Sequence, residues 1–268
     1  MMDKSQIQPF INNLAARLAI IIPAYKLSYF GETLESIASQ TCKDFNLYIG
    51  DDASPDDLYS IVRKYESRIN ILYHRFSDNL GSTDLVAHWN RCIDMAGGEE
   101  WIWLFSDDDL LEPDSVDMFY SCINKYPEEE LLHFNVKVIN DRNIQIPSSN
   151  PFPERISATD FFSSKIRSKI NSYVVEYVFK KDLYLRSGRF ENFDLGWCAD
   201  DASWIKFSKT TGIRTIEKPM VSWRHSGQNI SSRVNDRQLV ERKLQATIGY
   251  LQWVKKFFSQ NSMHDPTS

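Results

Sequence analysis

The sequence predicts an α/β fold, a mainly parallel sheet with helices on both faces. Short apolar runs of strand length alternate with stretches of helical period through the first half of the chain. Strands joined through helices must pair in parallel, and the right-handed crossover places those helices on both sides of the sheet. Acidic residues then stand where several of the apolar runs end, the edge at which open sheets of this kind hold ligands. With 268 residues, 42% apolar and 25% charged, the chain can bury a full core.

The elements follow in order. Residues 18–22 (LAIII) form a buried strand closed by Pro23, and 28–40 follow as a helix with Leu34, Ile37 and Ala38 on one stripe. A second strand at 45–49 ends at Asp51 and Asp52, after which Ser54 and Pro55 open a helix reaching about Tyr65. A strand at 69–74, a helix at 82–95 and a strand at 101–105 repeat the alternation, and Pro113 with Asp114 opens a further helix. Residues 131–139 and 173–179 have strand patterning, and the Pro-rich NPFPER between them is a loop. Residues 235–260 are helical, with Leu239, Leu244, Ile248, Leu251, Trp253, Phe257 and Phe258 set among Arg237, Arg242, Lys243, Lys255 and Lys256. Such a helix can pack on the core, pair with a second subunit or lie on an anionic membrane; core packing is the first expectation. The polar residues after Gln260 are expected to be disordered.

Composition excludes several classes. A net charge of −5 argues against a nucleic-acid binder. Cys42, Cys92, Cys122 and Cys198 are widely spaced with no CxxC pair, which suits reduced thiols better than a disulfide framework or a zinc site. Residues 1–18 lack the apolar centre of a secretory leader and no run is long enough to span a bilayer. A cytoplasmic protein is therefore expected, with any membrane contact peripheral at the inner face. Neither GxGxxG nor GxxxxGK[ST] occurs, so neither dinucleotide binding nor a P-loop explains the acidic edge.

The most informative stretch is WIWLFSDDDLLEP at 101–113, a strand-like run ending in Asp107, Asp108 and Asp109. Three successive carboxylates repel one another, and a divalent cation is the simplest relief. A solvated turn capping the next helix is the plain alternative. The second acidic pair, Asp51 and Asp52, at the equivalent end of another strand favours a ligand site.

At these residues AIIIPAYKLSYFGETLESIASQTCKDFNLYIGDDASPDD resembles the opening of the family-2 glycosyltransferases: a strand, P-x-Y, a helix ending S-x-x-x-Q-T, and a second strand ending D-D-x-S. The likeness continues through NLG at 79–81, Asn90 in AHWN, GGEEW, and SDDD followed by LLEP. It is thinner in ADDASWIKFSKTTGIRTI and in VSWRHSGQNISS, which is similar to a late histidine-containing segment. The resemblance implies a GT-A fold with a Rossmann-like sheet, a nucleotide-sugar donor (a UDP-sugar first of all), Mn²⁺ or Mg²⁺, and inverting transfer to a saccharide or lipid-linked saccharide in polysaccharide biosynthesis. It divides the chain into a lead at 1–16, a nucleotide-sugar-binding half at 17–112, an acceptor-binding half at 113–232 and a C-terminal helix and tail at 233–268.

The same resemblance distributes roles. Asp108 is the first metal ligand, with Asp109 beside it and Asp107 towards the donor's ribose, although Ser106 stands where the family often has the first Asp of D-x-D. Asp52, with Asp51, would meet the nucleobase, helped by backbone groups of Pro23, Ala24 and Tyr25, and Asn90 joins the donor set. Asp201 takes the position of the general base and Asp200 that of a usual Glu; the plain alternative is that both cap the following helix. His225 would complete the metal shell or meet the diphosphate, with Arg224 as an alternative phosphate ligand. Trp197 could stack on an acceptor sugar, and acceptor specificity is expected in the NPFPER loop. His74, His88, His133 and His264 are structural or exposed in this reading. The alternatives are a nucleotidyltransferase, weakened by the missing G-x-G-x-R loop, and a non-catalytic sugar-nucleotide-binding or scaffold protein.

Overall fold

The computed structural model describes residues 16–148, 150–227 and 235–264. The expected lead at 1–16, all but its last residue, lies outside the described residues, as do positions 228–234 of the late histidine-containing segment and the end of the tail at 265–268.

The chain runs β1 (Leu18–Ala24), α1 (Phe30–Ala38), β2 (Asn46–Asp51), α2 (Tyr59–Val62), β3 (Ile71–Arg75), α3 (Leu85–Ile93) and β4 (Trp101–Leu104). It continues through β5 (Leu110–Leu111), α4 (Ser115–Lys125), β6 (Leu131–Asn140), β7 (Gln145–Ile146), β8 (Arg155–Ile156) and α5 (Ala158–Ile166). After a 3-10 turn at Val174–Glu176 come β9 (Tyr177–Lys180), α6 (Lys181–Arg186), α7 (Ala199–Phe207), β10 (Ile213–His225) and α8 (Arg237–Gln260). Among the described residues one sheet holds all these strands in the order β3-β2-β1-β4-β9-β6-β10-β5, with β7 on β6 and β8 on β10.

Both faces of the sheet centre are covered, so β1 and β4 are apolar throughout rather than alternating. Ala19 and Ile21 face one core with Val86, Phe161, Trp204 and Tyr250 from α3, α5, α7 and α8. Leu18, Ile20 and Ile22 face the other with Leu34, Val62 and Phe119 from α1, α2 and α4. The first four strands pair in parallel, as expected. The second half departs from that pattern: β9 is antiparallel to both β4 and β6, while β10 pairs in parallel with β6. β10 escapes the sequence pattern because it carries Lys218 and Pro219, and the register shifts on either side of Pro219, a residue with no N–H for the ladder.

The second helix is shorter than expected. Asp51 Oδ1 accepts the Ser54 N–H at 2.7 Å, and Ser54 Oγ donates to the Tyr25 carbonyl at 2.6 Å and accepts the Asp56 N–H at 3.2 Å. These bonds keep the chain in a turn after β2 and delay the helix to Tyr59. α8 packs through Ala246, Tyr250, Val254 and Phe258, with Tyr250 and Phe258 against Phe162. On another face Val240, Leu244, Ile248 and Leu251 are exposed. No described helix is long and apolar enough to cross a membrane.

Candidate active site

β1, β2, β3, β4, β6 and β10 point the same way, so the loops leaving them meet at one edge. At the end of β4, Ser106 makes the turn: its Oγ accepts the Asp109 N–H at 3.2 Å and donates to Asp109 Oδ2 at 2.5 Å. The three following acids then diverge. Asp107 Oδ2 accepts the Tyr25 and Lys26 N–H groups at 2.9 and 2.7 Å, tying β4 to the end of β1. Asp108 Oδ2 pairs with the Lys26 ammonium, which also stands 3.2 Å from Asp107 Oδ1. Asp109 turns into the fold, where its Oδ1 accepts the Arg224 N–H at 2.6 Å. Burial pushes Asp109 up to about 8, aided by the Asp108 charge. Burial raises Asp107 too, against the pull of Lys26.

Arg224 does not face a ligand. Fully buried, it donates from Nε to the Asp108 carbonyl at 2.7 Å, to Asn143 Oδ1 at 2.6 Å and to Glu32 Oε2 at 3.0 Å, with its guanidinium 4.1 Å from the Tyr29 ring centre. It bolts β10 to the acidic turn. His225, next along the strand, is exposed and stands 5.8 Å from the Trp223 ring.

The expected trio Asp108, Asp109 and His225 is not gathered as a ligand cage, and no group of three or more His, Cys, Asp or Glu among the described residues could hold a metal. Asp109 has both oxygens committed within the protein. Asp107 and Asp108 do fit a hard divalent cation: both are buried carboxylates, and a protein cation already lies between them. A Mg²⁺ or Mn²⁺ held by one or two carboxylates takes its remaining oxygens from phosphate and water.

The other acidic strand end is equally engaged. Asp51 Oδ2 accepts from the Tyr73 hydroxyl and from Arg75 at 2.8 Å. Tyr73 and Arg75 in turn line an open depression of ≈ 880 Å³ with Pro55, Asp57, Tyr59 and His74. Asp52 Oδ1 accepts the Leu80 N–H at 3.0 Å and pairs with Arg91, while its Oδ2 accepts the Gly81 N–H at 2.8 Å. Only glycine fits there, because a Cβ on Gly81 would lie 2.6 Å from Asp52 Oδ2. His88 is 3.2 Å from Asp52 Oδ1, and burial pushes it down to about 4 despite that carboxylate. Pro23 and Ala24 run in register with Gly50 and Asp51, bringing the P-x-Y backbone to this edge. Asn90 is not brought there: its Oδ1 accepts the Tyr184 hydroxyl at 2.6 Å, tying α3 to α6.

The acids that open α7 face a different set of groups. Asp201 Oδ2 is 3.2 Å from the Lys165 ammonium, while its Oδ1 is buried with no partner among the described residues. Burial raises the Asp201 carboxyl, with Lys165 opposing. Burial and the Asp201 charge push Asp200 up to about 7. Burial works against the Lys165 ammonium, yet Asp201 and Asp200 hold it above the usual lysine value. Glu176 completes the group: fully buried, it stands 3.2 Å from His133 Nε2 and accepts the Tyr173 N–H at 3.2 Å, and burial raises it well above an ordinary carboxyl. Glu176 Oε2 and His133 Nδ1 are buried and unpartnered among the described residues.

Tyr173 sits in the same turn as Glu176. Its ring stacks on Trp223 at 4.0 Å, and burial, then Glu176, pushes its hydroxyl up to about 12, with a smaller push from Asp109. Glu176, His133, Tyr173, Asn171, Lys137 and Phe152 border a cavity of ≈ 400 Å³ to which the start of the NPFPER loop, Asn150 to Phe152, also contributes. Trp197 is elsewhere occupied. Its indole N–H donates to Thr247 at 3.0 Å and the Lys243 ammonium covers its face at 4.8 Å, so it docks α8.

Sequence reading did not single out Lys26, Arg91, Lys165 or Glu176. Glu176 carried a signal, a lone acid inside the apolar run YVVEYVF, where an unpaired carboxylate is costly.

The Rossmann-like sheet, with Asp51 and Asp52 at the carboxyl end of β2 and Asp107 and Asp108 at that of β4, has the GT-A fold. The chain belongs to glycosyl transferase family 2, whose model matches residues 19–181. That family is one of glycosyl transfer, which speaks against the nucleotidyltransferase alternative. A PGL/p-HBAD biosynthesis glycosyltransferase of Mycobacterium tuberculosis is 30% identical over 125 residues, 46% of this chain and 47% of the relative. The match thus spans about half the length of that curated relative. The S. aureus TarS 1-349 structure in complex with UDP-GlcNAc aligns with a TM-score of 0.67 at 16% identity, covering 91% of this chain and 73% of that one. The mannosyltransferase PcManGT from Pyrobaculum calidifontis, in complex with GDP-Man and Mn²⁺, aligns at 0.57 with 17% identity, covering 90% and 64%.

Proposed function

We propose that this glycosyltransferase moves a sugar with inversion from a nucleotide-sugar, a UDP-sugar first, to a saccharide or lipid-linked saccharide acceptor in polysaccharide synthesis, with Mn²⁺ or Mg²⁺ as cofactor. One observation carries the reading. Two buried carboxylates, Asp107 and Asp108, share one protein cation at the carboxyl end of β4, beside the P-x-Y backbone that follows β1. The solved relatives support it by the ligands in their names, UDP-GlcNAc in one and GDP-Man with Mn²⁺ in the other.

In this mechanism the Asp52 turn and the P-x-Y backbone receive the nucleoside, and Asp107 and Asp108 are the residues that would hold a divalent cation, which would supply positive charge to offset that on the diphosphate. Lys165 fixes Asp201 through Oδ2, so that Oδ1 is the oxygen that takes the proton from the acceptor hydroxyl. A carboxyl raised by burial is a stronger base than one in water, as the step requires. The cavity beside Glu176 receives the acceptor, in keeping with a lining that mixes rings such as Phe152 and Tyr173 with polar groups such as Asn135, Lys137 and Asn171. The exposed stripe of α8, bounded along the same face by Arg237 and Lys255, is the surface for peripheral contact with an anionic membrane.

Calorimetry with UDP and GDP, in Mn²⁺ and in chelator, tests the donor side. Binding should require the metal and be lost in Asp108→Ala with the fold intact; equal affinity in chelator removes the metal from the mechanism. Screening nucleotide sugars for slow hydrolysis then identifies the donor.

A further inference from the structure

Lys26 follows the P-x-Y stretch directly, and its side chain lies across the acidic pair. Its ammonium pairs with Asp108 Oδ2 and stands 3.2 Å from Asp107 Oδ1, while its own N–H donates to Asp107 Oδ2 at 2.7 Å. The two carboxylates are 5% and 4% exposed and the lysine side chain 30%, so the ammonium covers the pair from the solvent side. The backbone bond anchors the stem and leaves the four-carbon chain as the only moving part.

A divalent cation on Asp107 and Asp108 needs the same oxygens. Two cations within a few ångströms of one carboxylate repel, the more so at a buried site. Metal arriving alone must displace the ammonium and leave it without an anion. Metal arriving with a diphosphate brings the anion along, its oxygens within reach of a lysine that has only to swing outward.

We propose that Lys26 is a tethered counter-cation which holds the Asp107–Asp108 pair in the donor-free enzyme, is displaced by the metal, and then pairs with the donor diphosphate. Metal and diphosphate are thereby coupled: each binds well only with the other. The proposal rests on the metal-dependent reading above and adds a positioning residue to it.

The test titrates full-length wild type, Lys26→Gln and Lys26→Arg with Mn²⁺ alone, following free Mn²⁺ by paramagnetic resonance, and repeats the titration with saturating UDP and with GDP. Circular dichroism and urea unfolding establish that the variants fold. Lys26→Gln should bind Mn²⁺ alone about tenfold or more tightly than wild type, and the gain from added nucleotide should shrink by a similar factor. Lys26→Arg keeps the charge and should keep the coupling. Equal Mn²⁺ affinity in wild type and Lys26→Gln, with the nucleotide gain unchanged, overturns the proposal while leaving the metal site standing. If wild type, Lys26→Gln and Asp108→Ala all fail to bind Mn²⁺ with either nucleotide, the metal reading fails and the counter-cation role falls with it.

Discussion

Replacing Arg224 by methionine should cost about 2–3 kcal/mol of stability, far more than a surface arginine. The residue is fully buried, and its Nε is a partner of the Asp108 carbonyl at 2.7 Å. Loss of that donor leaves the carbonyl short of a partner, at about 1–3 kcal/mol. The guanidinium also lies 4.1 Å from the Tyr29 ring centre, a contact worth about 0.5–2 kcal/mol. The Glu32 link adds little, since that side chain is 47% exposed and regains water. Methionine recovers part of the packing and relieves the desolvation of a buried charge, which trims the total. Urea unfolding followed by tryptophan fluorescence should show a lower midpoint with an unchanged slope. Because the Arg224 N–H to Asp109 survives the change, Asp109 stays anchored while Asp108 loosens, and metal-dependent UDP binding should weaken as well. A loss below about 1 kcal/mol, with unaltered binding, would show that the acidic turn is held from elsewhere.

Asp201→Asn should lower turnover by roughly a hundredfold or more while nucleotide affinity stays close to wild type; parallel loss of both, by steady-state kinetics and calorimetry, would make Asp201 a structural residue. Asp200 rises from an ordinary carboxyl to about 7 on folding, so between about pH 4 and 7 the native state binds the extra proton and stability falls as pH rises, levelling off above that window. Thermal unfolding of Asp200→Asn should therefore gain on wild type between pH 5 and pH 7, and a constant difference would contradict the shift. Gly81→Ala forces a Cβ against Asp52 at 2.6 Å and should weaken nucleotide binding several-fold, read by calorimetry. Leu244→Glu with Leu251→Glu, on the exposed stripe of α8, should abolish co-sedimentation with anionic vesicles at low salt; if wild type does not sediment either, the stripe is not a membrane surface.

The first half of the fold was legible because β1, β2 and β4 are buried along almost their whole length and each return is a helix, so period and polarity agree. The sequence loses its grip where long-range pairing decides. β9 has the composition of any short buried strand, and nothing local says that it enters reversed between β4 and β6. β10 reads as irregular around Glu217–Lys218–Pro219, yet β6 holds it as a strand. At the site, the positions of the acids were readable and their orientations were not. Asp109 looked equivalent to Asp108 in a run of three, but the turn at Ser106 points it at Arg224, more than a hundred residues away in sequence. Arg224, Trp197 and Asn90 have the chemistry of ligand-binding residues, and tertiary partners had already claimed each of them.

The reversed strand β9 has a consequence for how this enzyme can change. Because β9 starts at the edge where the parallel strands finish, the turn before it, with Tyr173 and Glu176, stands at that edge without an intervening helix. The segment from β6 to β10 can thus be exchanged as a cassette: its joints to the rest of the sheet are the short β4–β9 and β10–β5 pairings. If donor and acceptor divide as proposed, a chimaera carrying that segment from another GT-A enzyme should change its acceptor and keep its nucleotide. Such an exchange has to respect two antiparallel seams and the Arg224 bonds by which β10 holds the acidic turn.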